Sequence, residues 1–391
     1  MATSFKKKST RGRAIYPPGT RPSLHNNQLL VSSGVPSMDN VIGGGIAVGT
    51  VFMVEEDTYS SYARQLSKYF LAEGVISGHS IFLASAEPEP NDILKDLPQQ
   101  VDNKTYSVDE PGDSSSPIQS MKIAWRYQNQ PKFESSPSSG SFGHYFDLTR
   151  VMDETKLSSV PIQTFSVTSE MAKCLSCTEE GNVLIHFIRS SENNVYRSLI
   201  SRINSAIKEG GFTTAEKGLE NRTILRIVLH GLGSPLWGEE QHFGNEISPT
   251  LTRFLFQLRA TLRSALAVCF VTVPTQLFQD PALTRRVERL CDTVVKLESF
   301  AGSDNETNPV YKDYHGLFHI VRLPRLNSLV CHVPDSFDLA FKLRRKKMTI
   351  EKLHLPPELS ETANRTQEDS HRGKPGSLSC QSMVTNSCLD F

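Results

Sequence analysis

Residues 33–62 read SGVPSMDNVIGGGIAVGTVFMVEEDTYSSY, and this stretch gives the clearest indication of the fold. The apolar run at residues 51–54 predicts a buried strand. A phosphate-binding loop after such a strand reads G-x-x-x-x-G-K-[ST]; its backbone amides and lysine hold phosphates, and its hydroxyl holds Mg²⁺. This chain has neither glycine nor lysine in the corresponding loop. We therefore predict a degenerate phosphate loop, formed by Glu55, Glu56, Asp57, Ser60 and Ser61.

The three carboxylates of this loop stand where a triphosphate would lie. Two like charges about 4 Å apart repel by about 4 kcal/mol when the effective dielectric constant is about 20. We therefore expect the loop to repel a nucleotide unless a cation intervenes.

A nucleotide-hydrolysing site also needs a carboxylate that holds Mg²⁺ at the tip of a second strand. Residues 224–229 predict that strand, because they follow a helical pattern and precede a turn. The residue at the tip is His230, and imidazole is a poor ligand for Mg²⁺, which selects oxygen. Without phosphate or metal ligands, Glu87 has nothing to activate as a catalytic carboxylate. We therefore favour a capping or interface role for this residue. We expect no catalytic residue and no cofactor.

Composition limits the class of protein. The chain has 391 residues, of which 38% are hydrophobic, and its 42 Lys and Arg residues balance 42 Asp and Glu residues. Any nucleic-acid site must therefore be a local patch. No apolar run approaches the roughly 20 residues that span a bilayer, which predicts a soluble, unsecreted protein without membrane contact. Seven scattered cysteines predict a reducing compartment, and the pair Cys174 and Cys177 lacks partners at zinc-site spacing, so no metal is expected.

The chain divides by composition into an arm, a domain and a tail. Residues 1–25 predict a disordered basic arm, and residues 359–391 predict a disordered tail. Residues 26–358 predict one α/β domain with a parallel sheet, because strand and helix patterns alternate. Ser/Pro/Gly-rich stretches at residues 107–120 and 131–142 predict flexible inserted loops.

Glycines mark two boundaries inside the domain. The run Gly43-Gly44-Gly45 predicts a turn, since it precedes the first core strand. Gly74 predicts the end of the helix that carries Tyr62, Leu66 and Tyr69 on one face.

A dense group of cations lies near the C-terminus. At a period of 3.6 residues these cations would surround a helix. They would then form either a solvated helix end or a positively charged surface that binds RNA. The group consists of Lys342, Arg344, Arg345, Lys346 and Lys347.

Two sets of motifs resemble known families. The order of residues 35–39, 43–46 and Gly49 resembles the segment that precedes the P-loop strand in the RecA/KaiC ATPase family. The strings at residues 11–13, 123–127, 146–149 and 339–357 are similar to the PAXNEB family, the fourth subunits of the Elongator complex. Together these signatures cover about residues 11–358.

The resemblance implies a RecA-like P-loop NTPase fold with a mostly parallel central sheet and degenerate Walker motifs. It implies a non-catalytic subunit that joins the fifth and sixth Elongator subunits in a hexameric ring, with two copies of each. By the same resemblance, the ring binds tRNA and assists the catalytic subassembly in adding carboxymethyl-type groups to the wobble uridine. A link to transcription elongation and a location in cytoplasm and nucleus are further implications of that family.

In RecA-like rings a basic residue near the late strands commonly reaches the neighbouring subunit's nucleotide. Arg322 and Arg325 occupy such a region of this chain. They contact tRNA or a neighbouring subunit, or they form a solvated pair.

Two other functions stay open at this point. A divergent ATPase would use Glu87 and the carboxylates of Glu55, Glu56 and Asp57 as metal ligands. A recombinase-like module of the same fold would bind DNA.

Overall fold

The computed structural model describes residues 16–23, 26–101, 142–176, 195–214, 222–238, 242–243, 246–247, 249–326 and 332–353. All of them belong to one compact unit that ends at Leu353. The motifs at residues 11–13 and 123–127, the predicted C-terminal tail and, apart from residue 142, the predicted inserted loops lie outside the described residues.

The strands are numbered in chain order. They are β1 (Thr20–Pro22), β2 (Leu29–Val31), β3 (Ile46–Ala47), β4 (Val51–Glu55), β5 (Ser80–Ser85), β6 (Pro98–Gln100), β7 (Phe146–Val151), β8 (Ile162–Ser166), β9 (Leu225–His230), β10 (His242–Phe243), β11 (Glu246–Ile247), β12 (Ala267–Val273), β13 (Thr293–Ser299), β14 (Gly316–Arg322), β15 (Leu339–Leu343) and β16 (Met348–Lys352).

The helices are numbered in the same way. They are α1 (Pro36–Val41), α2 (Ser61–Ile76), α3 (Pro90–Lys95), α4 (Glu154–Leu157), α5 (Val167–Ser176), α6 (Val195–Glu209), α7 (Thr250–Leu262), α8 (Pro281–Leu290) and α9 (Asp304–Thr307). None of the helices in the described ranges combines the length and apolar character needed to cross a bilayer.

A nine-stranded mixed sheet forms the centre of the described part of the chain, in the order β16-β15-β14-β13-β4-β12-β9-β5-β8. Neighbours from β13 through β8 are parallel, and neighbours from β13 through β16 are antiparallel. The prediction of an α/β fold is confirmed.

The strand directions determine which loops meet. The parallel strands β13, β4, β12, β9, β5 and β8 all end at one edge of the sheet, here called the carboxyl edge. Strand β15 is antiparallel to β14, which is antiparallel to β13. The carboxyl end of β15 therefore also lies at the carboxyl edge, whereas β14 ends at the opposite edge.

The central strands are buried on both faces, as β4 illustrates. Its side chains alternate, because successive residues of a strand point to opposite faces of the sheet. Val51 and Met53 pack in the cluster that contains α6, α7 and α8, whereas Phe52 and Val54 pack in the cluster that contains α2. Burial of each such side chain stabilises the fold by about 1.5–3 kcal/mol.

Glycines 43–45 form the predicted turn, which is confirmed. Their φ angles are 99°, 106° and 132°, a region that residues with a Cβ atom rarely adopt. The turn leads the chain from α1 into β3 and then into the first core strand.

The predicted disordered arm is wrong at its C-terminal end. Residues 20–22 form β1, which pairs with β2 in antiparallel register. Arg21 fixes this strand, because its Nη2 atom donates a hydrogen bond of 2.5 Å to the carbonyl oxygen of Gly44. The basic composition of residues 1–25 did not reveal this pairing.

The prediction that Gly74 ends its helix is also wrong, because α2 continues to Ile76. Gly74 has a packing role instead. A Cβ atom at this position would stand 2.7 Å from Cδ of Arg226, which crosses beneath the helix from β9.

Arg226 is a fully buried cation. Its Nη1 atom donates to the carbonyl oxygens of Ser32 and Phe70, at 2.9 and 3.0 Å, and its Nε atom donates to Nδ1 of His79 at 2.9 Å. The guanidinium also lies 4.4 Å from the centroid of the Phe70 ring. Burial lowers the pKa of Arg226 to about 10, while the charges of Glu73 and Asp39 act in the opposite direction. The group stays charged at neutral pH.

The two buried carboxylates near Arg226 connect further segments. Glu73 accepts hydrogen bonds from the backbone nitrogen of His144, at 3.0 Å, and lies 3.1 Å from its Nδ1 atom. Asp39 accepts from the Ser33 backbone nitrogen at 2.9 Å, and burial raises its pKa to about 6. This buried polar network therefore ties the segment before α1, helix α2, strand β9 and the segment before β7 to one another.

We predict that Gly74→Ala destabilises the protein. The intrinsic preference of a helix for alanine would stabilise it by about 1 kcal/mol, but the new methyl group must displace Arg226, which costs about 1–3 kcal/mol. Urea unfolding of the full chain measures the net change. An increase in the free energy of unfolding would show that Arg226 moves without cost and would contradict the packing role of Gly74.

Candidate functional site

The degenerate phosphate loop lies at the carboxyl edge, as its position after β4 requires, but its carboxylates face inward. Glu55, Glu56 and Asp57 are only 4%, 7% and 1% exposed. Burial withdraws these side chains from solvent, and the repulsion of a nucleotide by this loop stays a prediction. The protein itself supplies partners to Asp57 and to one oxygen each of Glu55 and Glu56, whereas Oε1 of Glu55 and Oε1 of Glu56 have no hydrogen-bond partner among the described residues.

Asp57 occupies the N-terminus of α2. Its carboxylate accepts hydrogen bonds from the backbone nitrogens of Ser61, Tyr62 and Ala63, at 3.1, 3.1 and 3.2 Å. The first amides of a helix have no partner within the helix, and together with the helix dipole they form an anion site. In this chain a tethered carboxylate fills that site.

Glu55 and Glu56 are held by hydroxyl groups. Thr275 Oγ1 donates to Glu55 at 3.1 Å, and Ser60 Oγ donates to Glu56 at 2.7 Å. Burial is the main cause that raises the pKa of both carboxyl groups. Burial thus disfavours the charged forms, which are the forms that bind a hard cation.

His230 lies at the carboxyl end of β9 and is buried there. Its Nδ1 atom is 3.0 Å from Oγ1 of Thr272 on β12, and that oxygen accepts a hydrogen bond of 2.8 Å from the Gly231 backbone nitrogen. Burial, followed by the charges of Arg64 and Lys68, lowers the pKa of His230 to about 4. A neutral His230 thus links the ends of two adjacent strands. No group of three potential metal ligands occurs among the described residues.

Exposed apolar side chains follow the strands that carry these buried groups. Tyr59, Leu236 and Leu277 are 64%, 51% and 50% exposed, and they follow the neighbouring strands β4, β9 and β12. We call these three side chains the apolar rim. The rim was not predicted from the sequence, although a large apolar residue soon after each of three core strands was a visible signal.

The basic group near the C-terminus is a hairpin turn, and the helical interpretation is wrong. Strands β15 and β16 are antiparallel, and Arg344 and Lys347 exchange backbone hydrogen bonds of 3.0 and 3.2 Å across the turn. Arg345 and Lys346 form its tip. Residues 344–347 are here called the basic hairpin, and Arg344, Arg345 and Lys346 are exposed.

Lys342 does not belong to the exposed basic surface. It is only 9% exposed, its Nζ atom is 3.3 Å from a carboxylate oxygen of Glu351, and it lies 4.6 Å from the centroid of the Tyr314 ring. This cation has a structural role on β15.

Arg322 and Arg325 lie at the edge of the sheet opposite the degenerate loop and the basic hairpin, because β14 runs antiparallel to β13. Arg322 Nη1 donates a hydrogen bond of 2.7 Å to the carbonyl oxygen of Arg289, near the C-terminus of α8. It thereby satisfies a carbonyl that the helix leaves unpaired. Arg325 is exposed, and its role in binding stays a prediction.

Together, fold and site define an α/β protein with a predominantly parallel sheet. The anion site at the N-terminus of α2 is filled by the protein's own Asp57 carboxylate. Comparison with known proteins identifies the family. The model of the PAXNEB protein family matches residues 13–391. The chain belongs to the PAXNEB family.

Relatives across animals carry one name. The protein named Elongator complex protein 4 of Danio rerio is 46% identical over 375 residues, which cover 94% of this chain and 91% of that protein. Its namesake in Homo sapiens is 43% identical over 388 residues, covering 94% and 88%. The one in Drosophila melanogaster is 34% identical over 429 residues, covering 92% and 95%.

We predict that Asp57→Ala creates an empty anion site. The variant should lose about 1–2 kcal/mol of stability, because three helix amides lose their acceptor, and sulfate should raise its midpoint of thermal unfolding more than it raises that of the unmodified protein. Ser60→Ala is the matched control, since it removes a bond to Glu56 and leaves the amides paired. An equal response of all three proteins to sulfate at constant ionic strength would contradict this assignment.

We also predict that Arg322→Ala destabilises the protein by about 0.5–1.5 kcal/mol through loss of the hydrogen bond to the Arg289 carbonyl. Arg325→Ala should leave stability within about 0.5 kcal/mol, as exposed substitutions usually do. Chemical denaturation of both variants gives the comparison. Equal losses of stability would argue against the capping role of Arg322.

Proposed function

We propose that this protein is a non-catalytic subunit of the Elongator complex. Its domain is RecA-like, and it joins the fifth and sixth subunits in a hexameric ring that contains two copies of each. The observation that carries the proposal is the Asp57 carboxylate on the N-terminal amides of α2. Together with the names of its relatives, this geometry supports an assembly role over nucleotide turnover.

The apolar rim supports a role of the carboxyl edge in subunit contact. A nucleotide site would present backbone amides and cations at this edge. Tyr59, Leu236 and Leu277 instead present exposed apolar surface after three neighbouring strands of this edge. Aromatic and aliphatic side chains of this kind are typical of the central part of protein interfaces.

The basic hairpin supports contact with RNA. It places exposed cations of one sign at a two-residue turn, and the stretch 342–347 contains no acidic residue. We propose that this surface holds phosphates of tRNA in the assembled ring, which in turn supports modification of the wobble uridine by the catalytic subassembly. Such a subunit would work in the cytoplasm and in the nucleus.

The burial of the loop argues against the divergent ATPase. That function requires Glu87 and the carboxylates of Glu55, Glu56 and Asp57 to converge as charged metal ligands. Glu55 and Glu56 are buried with raised pKa values, and Glu87 is exposed in the loop between β5 and α3. No feature of the described residues favours the recombinase-like module.

We predict negligible binding of ATP by the isolated chain. Calorimetric titration of the folded protein with ATP and Mg²⁺ should give no saturable heat, because Asp57 competes for the helix amides as a tethered anion. Micromolar affinity would refute the proposal that the loop has lost its ligand.

We predict that the double variant Arg344→Glu and Arg345→Glu weakens tRNA binding by the assembled complex and reduces its salt dependence. Loss of two phosphate contacts should lower the slope of log K against log salt concentration by about 2. The matched control is Arg285→Glu with Arg286→Glu, which makes the same charge change on two exposed residues of α8. Equal slopes for the two double variants would assign the basic hairpin to another role.

A further inference from the structure

An exposed aromatic ring adjoins the basic hairpin. Tyr145 precedes β7 and is 42% exposed, and Nζ of Lys347 lies 5.8 Å from the centroid of its ring. The backbone nitrogen of Leu148 on β7 donates a hydrogen bond of 2.9 Å to the carbonyl oxygen of Lys346. This bond fixes β7 against the hairpin, so the ring and the cations form one surface although they are about two hundred residues apart in the sequence.

An acid on β7 also lies near the basic hairpin. Arg150 on β7 is exposed, and its charge and that of Lys346 both act on the carboxylate of Asp147. Asp147 is itself buried and accepts hydrogen bonds from the Thr149 hydroxyl and backbone nitrogen, at 2.6 and 2.9 Å. Its carboxylate is therefore occupied internally, and the exposed face keeps an excess of positive charge.

We propose that Tyr145 is a stacking platform for an unpaired base of RNA, beside phosphates that are held by the exposed cations of the basic hairpin. This inference rests on the proposed contact between the basic hairpin and RNA, and it specifies which part of an RNA that surface selects. The cations alone would hold the phosphates of a duplex or of a single strand. An exposed ring adds stacking, and only a base outside a duplex can offer its face to it.

The choice of RNA over a protein partner follows from the composition of the surface. All four residues of the basic hairpin are cations, and the single acid of β7 is buried. A protein interface of comparable aromatic content is usually depleted of lysine. Clustered cations next to one exposed aromatic ring match the mode in which proteins track a single strand.

The test compares a short single-stranded RNA with a blunt RNA duplex that has the same number of phosphates. Both are titrated against the full chain in the assembled complex. Tyr145→Ala should weaken binding of the single strand by about 5- to 150-fold, the range expected for loss of one stacked base, and should leave duplex affinity and the salt slope unchanged. Tyr145→Phe keeps the ring and should bind like the unmodified protein.

A spectroscopic signal separates stacking from an indirect effect. A fluorescent adenine analogue in the single strand should be quenched on binding, because stacking quenches its emission, and Tyr145→Ala should abolish the quenching. Thermal unfolding of the variant provides the control for folding. The side chain of Tyr145 is partly exposed, and the hydrogen bond from the Val101 nitrogen is accepted by the Tyr145 backbone carbonyl, which the substitution keeps.

The possible failures are distinguishable. If Tyr145→Ala binds both RNAs normally while Arg344→Glu with Arg345→Glu weakens them, stacking is refuted and the RNA role of the basic hairpin survives. If Tyr145→Ala weakens the two RNAs equally, the ring is a general contact and the proposal is also refuted. If neither variant changes RNA binding, both the proposal and the RNA role of the hairpin fail, and the surface is assigned to a protein.

Discussion

The buried guanidinium of Arg226 is the interaction on which the arrangement of the fold depends. It meets carbonyl oxygens from the segment before α1 and from α2, and the carboxylates of Glu73 and Asp39 compensate its charge. Removal of one partner from such a network typically costs about 3–5 kcal/mol, because the remaining charge stays buried. The network fixes α2 against the sheet. It therefore also fixes the place where the N-terminal amides of α2 meet the end of β4.

The parallel half of the sheet could be predicted from the sequence because its strands are buried on both faces. Residues 51–54 and 267–273 are apolar runs that suit only the interior of a sheet. The antiparallel end of the sheet was harder to predict. Lys342 through Lys347 give the charge pattern of a helix end, and only pairing with β14 and β16 makes them a hairpin. Contacts between strands that are distant along the chain leave no local pattern.

The residues of the degenerate loop could be identified from their types, but the direction in which their side chains point could not be predicted. Three acids after a strand suggest a charged surface, whereas the structure buries all three. The decisive contact is between Asp57 and amides four to six residues later, and an acid just before a helical pattern was its only signal. The separation of Arg322 from the basic hairpin likewise required the directions of β14 and β15, which residue types do not reveal.

The tethered carboxylate at α2 has a consequence for how this protein responds to the cell. A fold that is completed by a soluble ligand gains stability in proportion to the logarithm of the ligand concentration. Asp57 is covalently part of the chain, so its local concentration is constant. The folded population of this protein should therefore not depend on the concentration of a soluble anion at this helix.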